Sequence, residues 1–173
     1  MGPIEWVFIV VIVLWGFIGL VRGYQRELGV TTMLLITLFA LQFLFESQLT
    51  DRVDELLLSI GVAESNLVVI QGLLAVTALI IVMFISYQGV ILLYPGSGTN
   101  PFLSFLVGLL NGYLFAGSIW YYLDRAGWPV IDRVIPEYTP FYEFFVQLLP
   151  PAIFGWQFFI LLAVAMLIFR VLK

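Results

Sequence analysis

The sequence predicts an all-α fold: a polytopic transmembrane helical bundle of about five spans, with one or two interfacial amphipathic helices, in a single membrane domain over residues 1–173. Two observations support this prediction. Hydrophobic residues make up 62% of the chain and charged residues 10%, whereas a soluble domain is roughly 45–50% apolar and about a quarter charged. The apolar residues also fall in runs long enough to cross a hydrocarbon core of about 30 Å. A water-soluble fold of this size could not bury so much apolar surface.

The composition also excludes several kinds of chemistry. The chain contains no cysteine and no histidine, which rules out disulfides, thiolate nucleophiles, a serine–histidine triad and metal ligation by either residue. Its seven basic residues are too widely separated for a nucleic-acid surface. The densest acidic group is Asp51, Asp54 and Glu55, and paired carboxylates can do acid–base work. On an amphipathic helix, however, such carboxylates usually form the solvent-exposed polar face. We therefore expect no enzymatic activity and no cofactor.

The first two spans are predicted over residues 4–21 and 30–45. Two glycines and several charges between them predict a loop at 22–29. The second span is short and contains three threonines and Gln42. Such polar side chains inside a span usually face other helices rather than lipid.

An amphipathic helix and a long third span follow. Apolar residues recur at helical spacing over 49–60, with acidic residues between them, which is typical of a helix on the membrane surface or packed on the bundle. The third span, 66–94, is longer than a straight crossing needs, so we expect tilt or a break near Gly89.

The last third of the chain predicts two more spans. A glycine- and proline-rich loop at 95–101 precedes the fourth span, 102–123. An aromatic loop with four prolines, 124–150, leads to the fifth span, 152–172, and a short interfacial helix is predicted within it at 141–149. The aromatic side chains of this loop would either lie at headgroup level or dock another protein.

The charges predict an orientation. With five spans, one side carries Arg22, Arg26, Glu27, Arg170 and Lys173, a net charge of +3, and the other side carries −7. The positive side has four of the seven basic residues, two in the short loop at 22–29 and two at the C-terminal end. The positive-inside rule then places the N-terminus outside and the C-terminus in the cytoplasm.

The first motif lies at the end of the first span. Arg22 and Arg26 are suited to bind lipid phosphate, because a guanidinium group can donate two parallel hydrogen bonds to an oxyanion. Glu27 can form an ion pair with either arginine. The alternative is a topology anchor with no further role.

An apolar helix that runs into Gly19-x-x-Arg22-Gly23-x-x-Arg26-Glu27, followed by a second apolar helix, resembles the CvpA family, named for colicin V production.

This resemblance covers roughly residues 4–123 and includes a glycine-spaced helix in the second half. CvpA proteins are small bacterial inner-membrane proteins implicated in toxin export and envelope upkeep. The resemblance therefore implies a membrane and an envelope role rather than a reaction. The fifth span and the uncharged loop at 95–101 depart from the family's pattern.

The second motif is that helix, in which Gly108, Asn111, Gly112 and Gly117 form a stripe of small and polar side chains. Small residues four apart let two helix backbones approach closely. The stripe predicts a helix–helix interface, either with a second copy or another membrane protein, or within the same bundle.

Two functions from different classes fit these observations. The first is a non-enzymatic membrane protein of CvpA type, acting in envelope maintenance or export as an oligomeric scaffold or pore. The alternative is a structural or assembly subunit of a larger respiratory or photosynthetic membrane complex. Membrane lipid and other membrane proteins are the expected partners in both cases, and nucleic acid is not.

Overall fold

The computed structural model describes residues 3–47, 49–89, 92–95, 100–129 and 140–172. These residues form a helical bundle, and no strand occurs among them. The helices are α1 (Pro3–Arg22), α2 (Tyr24–Phe45), α3 (Thr50–Ser59), α4 (Leu67–Gln88), α5 (Pro101–Arg125), α6 (Pro140–Gln147), α7 (Pro150–Ile153) and α8 (Trp156–Val171), with a 3₁₀ turn at Glu64–Asn66 before α4. The predicted all-α membrane bundle is confirmed.

The predicted loop at 22–29 is wrong, because a single residue, Gly23, separates α1 from α2. Gly23 has φ +83°, a conformation that glycine adopts without a steric cost. The chain reverses direction there and re-enters a helix at once. Arg26 and Glu27 therefore lie in the first turn of α2 rather than in a loop.

Helix α2 is the centre of the bundle. It packs against α4, α5 and α8, and Leu34, Leu38 and Leu79 are completely buried where α2 and α4 meet the core. Helix α1 lies on the other side of α5 and leaves most of its surface exposed. The expectation that the threonines of the second span face other helices holds for Thr31 and Thr32, which are both buried.

The third predicted span ends in a break, as expected. Helix α4 stops at Gln88, and residues 92–95 are not helical. This segment packs on the first turns of α2: the backbone N–H of Tyr94 donates to the carbonyl of Gln25, and its buried hydroxyl lies 2.8 Å from the Thr32 hydroxyl. Gly29 is in direct contact with the Leu92 carbonyl, with no room for a Cβ.

The fifth predicted span is shorter than expected, because the chain breaks at Phe154 and Gly155 between α7 and α8. Four of the described helices, α1, α2, α4 and α5, are long and apolar enough to cross a membrane. Helix α8 has 16 residues, about 24 Å at 1.5 Å per residue. The break is stabilised by Gln42, whose amide donates to the carbonyls of Pro151 (2.8 Å) and Phe154 (3.0 Å).

The other predicted elements are close to the observed ones. The amphipathic helix predicted at 49–60 is α3, and the short helix predicted at 141–149 is α6. The fourth span starts at Pro101, where the Asn100 side chain accepts the Leu103 N–H and caps α5. Within the predicted aromatic loop, α5 continues to Arg125, while residues 130–139, with Asp132, Arg133 and Glu137, lie outside the described residues, as do 96–99 and Lys173.

Candidate functional site

A buried polar site is centred on Glu27, which is fully buried at the start of α2. Its Oε1 accepts a hydrogen bond from Arg22 Nη1 at 2.9 Å, and the two side chains form an ion pair. Arg22 is the last residue of α1, and its side chain is 17% exposed. The pair spans the Gly23 turn, and Glu27 is also favoured by the positive end of the α2 dipole.

The second carboxylate oxygen of Glu27 reaches two other helices. Tyr87, on α4, donates its hydroxyl to Oε2 at 2.9 Å, and Asn111, on α5, donates its amide to the same oxygen at 2.9 Å. The Asn111 amide also donates to the Glu27 backbone carbonyl at 3.0 Å. Thr31 donates to Asn111 Oδ1 at 2.7 Å. We call these five side chains, Arg22, Glu27, Thr31, Tyr87 and Asn111, the Glu27 cluster.

Arg22 makes two further contacts within this cluster and beside it. Its guanidinium lies 4.0 Å from the centroid of the Tyr87 ring, a cation–π distance. Its Nη2 donates to the carbonyl of Ser86 at 3.3 Å. Charges buried in a membrane protein are costly unless they are paired and hydrogen-bonded, and here both charged groups are. The cluster therefore connects α1, α2, α4 and α5 at one end of the bundle.

The three predicted anchor residues have different environments. Glu27 is fully enclosed by the bundle and does not face lipid, whereas 17% of the Arg22 side chain is exposed. Arg26 is exposed and pairs with no acidic side chain in the described part of the chain. Of the three, Arg26 is thus the most exposed, and binding of lipid phosphate at this motif stays a prediction.

The glycine stripe of α5 packs against α1 of the same chain. A Cβ built on Gly108 would lie 3.0 Å from the Gly16 Cα and 3.1 Å from the Gly19 Cα, and closer still to the Trp15 carbonyl. Gly112 faces Ile12 and Trp15 in the same way. The two helices run antiparallel with their backbones in contact. The glycine face of α5 therefore packs against α1 within the bundle. Binding of a partner by α5 stays a prediction, and it would require a face of α5 that α1 does not cover.

Two of the predicted stripe residues have other neighbours. Gly117 lies against the ring of Pro150 in α7 and near Phe8. Asn111 belongs to the Glu27 cluster, so the stripe and the arginine motif meet in one site. The sequence reasoning missed Tyr87. One sequence feature could have indicated it: Tyr87 is a polar side chain near the end of an apolar span, on the same predicted side of the membrane as Glu27.

A second ion pair lies at the opposite end of the bundle. Arg125 Nη1 lies 2.9 Å from Glu46 Oε1, and Tyr121 donates to Glu46 Oε2 at 3.2 Å. Burial raises the pKa of Glu46 above 4.5, although Arg125 and the Tyr121 hydrogen bond act in the opposite direction. This pair joins the end of α2 to the end of α5.

The raised pKa of Glu46 predicts a pH dependence of stability. The folded chain binds a proton at Glu46 more tightly than the unfolded chain, so this contribution is fully present below pH 4.5 and is lost as pH rises through the folded-state pKa. We expect the thermal midpoint of the wild type, relative to Glu46→Gln, to fall as pH is raised from about 4.5 to about 7. Tryptophan fluorescence in mild detergent measures both midpoints.

The matched control for this pH experiment is Glu55→Gln, because Glu55 is an exposed carboxylate on α3. Its midpoint should follow that of the wild type at every pH. A difference between the wild type and Glu46→Gln that stays constant, or grows with pH, would contradict the prediction.

An aromatic cluster covers the same end of the bundle as Glu46. Tyr142, on α6, donates its hydroxyl to Asp124 and accepts the Trp128 indole N–H at 3.0 Å. Burial and the hydrogen bond to Asp124 raise the pKa of Tyr142. Trp120 stacks on Phe145 with the ring planes 5° apart. Tyr142 and Trp128 of the predicted aromatic loop are therefore packed on the bundle, whereas Phe141 and Phe144 of the same loop are exposed.

Four of the described helices are long and apolar enough to span a membrane, and the charged pair between them is largely buried. The chain therefore has the fold of a multi-pass α-helical membrane protein. No family model, curated protein or solved structure matches the chain. The proposal for its function therefore depends on the residues and contacts described above.

Proposed function

We propose that this chain is a non-enzymatic, multi-pass protein of CvpA type in the bacterial cytoplasmic membrane, acting in envelope maintenance or export as a scaffold or pore. The observation that supports the proposal is the Glu27 cluster. The motif that resembles the CvpA family, Arg22-Gly23-x-x-Arg26-Glu27, supplies its central ion pair and the glycine turn that forms it. The motif thus has a physical role in the fold.

The contacts of the cluster favour a structural role over a chemical one. The Glu27 carboxylate accepts hydrogen bonds from three side chains, and its oxygens are fully buried among them. A proton carrier in a membrane needs access to water or to a next acceptor. A closed pair that connects four helices instead stabilises one arrangement of the bundle.

The proposed orientation places the Arg22 end in the cytoplasm. Arg170, near the end of α8, donates to the Leu93 carbonyl at 3.2 Å, and Tyr94 bonds to Gln25. Arg22, Arg26 and Arg170 therefore lie at one end of the bundle, as the positive-inside argument requires. Accessibility of single cysteines introduced at residues 26 and 64, in intact cells, tests which end is outside.

The proposed scaffold role predicts the outcome of a gentle purification. Solubilised in mild detergent, the chain should be recovered as a homo-oligomer or with substoichiometric envelope proteins. Size-exclusion chromatography with light scattering and identification of bound proteins measure this. Stoichiometric recovery with one large respiratory or photosynthetic complex would contradict it.

One observation favours the alternative, a subunit of a larger complex. An apolar cleft of about 260 Å³ lies between α1 and α5 near the aromatic cluster, with Phe8, Ile119, Trp120 and Trp128 in its walls. Such a cleft would accept an apolar side chain or a hydrophobic ligand of a neighbouring subunit. The same purification distinguishes the two functions.

A further inference from the structure

A small polar cleft lies beside the α1–α2 turn, between α2 and the C-terminal end of α4. Arg22, Arg26 and Ser86 supply its polar lining, and Val30 and Met33 form part of its apolar wall. About 10 Å³ of the cleft is open to the centre of a water-sized group, which is room for one water or one phosphate oxygen.

Ser86 is the observation that points to a ligand in this cleft. It is 5% exposed, and its hydroxyl has no hydrogen-bond partner among the described residues. Buried hydroxyls are nearly always hydrogen-bonded, so an unpaired one needs an explanation. An oxygen atom bound in the cleft would supply the missing partner.

The charges beside the cleft favour an anion. Arg22 and Glu27 neutralise each other, while Arg26 has no acidic partner in the described residues, so the site has a net charge of about +1. The N-terminal end of α2 adds a partial positive charge. The C-terminal carbonyls of α4 act in the opposite direction, but Arg22 already binds one of them, that of Ser86.

We propose that Arg26, Arg22 and Ser86 bind one phosphate oxyanion. One phosphate oxygen enters the cleft and accepts the Ser86 hydroxyl, while the guanidinium groups bind the others at the mouth. Arg22 has donors to spare, because a guanidinium carries five N–H groups and two of its bonds are to Glu27 and Ser86. The turn joins the ends of two helices of spanning length, so it lies at the depth of lipid headgroups.

The proposal does not depend on the CvpA-type function. A phosphate oxyanion reaches this depth either on a lipid headgroup or as free phosphate, and both would be recognised by the same three side chains. The difference between them is whether acyl chains contribute to binding.

The experiment uses the full chain purified in a neutral detergent and titrated with short-chain phosphatidylglycerol, with binding followed by native mass spectrometry. We expect Arg26→Gln to weaken binding about tenfold, because it removes a charge-assisted hydrogen bond. Ser86→Ala should weaken binding about threefold, yet without lipid its thermal midpoint should equal or exceed that of the wild type, because the lost hydroxyl has no partner.

Arg52→Gln is the matched control, since Arg52 is an exposed arginine on α3 at the other end of the bundle; its binding should equal that of the wild type. Inorganic phosphate that competes with the lipid indicates a site for the free ion, and phosphate that does not compete indicates a lipid site. Equal affinity in the wild type and Arg26→Gln, or equal weakening in Arg52→Gln, would overturn the proposal. A Ser86→Ala variant whose thermal midpoint is lower than that of the wild type, and whose affinity for the lipid is unchanged, would also overturn the proposal.

Discussion

Replacing Glu27 with alanine is expected to destabilise the chain by about 3–5 kcal/mol, the usual cost of removing one partner of a buried ion pair. The change leaves Arg22 with a largely buried charge and removes the acceptor of both Tyr87 and Asn111. The measurement is the thermal midpoint in mild detergent, followed by tryptophan fluorescence. Glu27→Gln keeps the shape and one acceptor oxygen, so we expect a smaller loss of stability.

Glu55→Ala is the control for this variant, because Glu55 is an exposed glutamate in a helix. Its effect should be within about 0.5 kcal/mol, as for most surface substitutions. The double variant Arg22→Gln/Glu27→Gln should lose less stability than the two single variants added together, since neither charge is then left without a partner. If Glu27→Ala has the same midpoint as Glu55→Ala, the Glu27 cluster does not stabilise the bundle.

Replacing Gly108 with alanine is expected to cost about 3 kcal/mol or more, at the upper end of overpacking effects. The new methyl group would meet the Trp15 carbonyl and the Cα atoms of Gly16 and Gly19. These are backbone atoms, which cannot move aside as a flexible side chain does. Gly108→Leu should prevent α1 from packing on α5, and is expected to leave little folded chain after solubilisation.

Gly155→Ala is the matched glycine control. A Cβ there would meet only the end of the Gln157 side chain, at 2.8 Å, and Gly155 has an ordinary φ of −76°. We expect a loss of about 1 kcal/mol at most, because glycine is a better N-cap than alanine, and this is well below the loss expected for Gly108→Ala. If Gly108→Ala keeps a normal midpoint and instead changes the oligomer size, the stripe joins two chains, and the α1–α5 contact described here is not its main role.

Much of the fold could be predicted from hydropathy, because lipid requires long apolar runs and backbone groups bonded within helices. The spans 4–21 and 102–123 agree with α1 and α5 to within about two residues, within the usual uncertainty of helix ends. The start of α2 could not be predicted, because Arg26 and Glu27 are the residues that normally mark a loop. Only the three-dimensional fold shows that Glu27 is buried.

The site was predicted in two unconnected parts. The arginine motif and the glycine stripe were both identified, but Tyr87 and Asn111 lie 60 and 84 residues from Glu27 along the chain. A single sequence contains no signal that pairs residues so far apart. The partner of the stripe was also not predicted, although Gly16 and Gly19 on α1 are small residues at helical spacing and indicate a flat face there.

The sequence separations of these contacts bear on how the chain is inserted as it is synthesised from its N-terminus. Arg22 and Glu27 are five residues apart, so a hairpin of the first two helices can neutralise its own charge as soon as it enters the bilayer. The hydrogen bonds to Tyr87 and Asn111 become available only after most of the chain has been made. The pair with Arg22 therefore lowers the free-energy cost of holding Glu27 in the bilayer before the later helices pack around it.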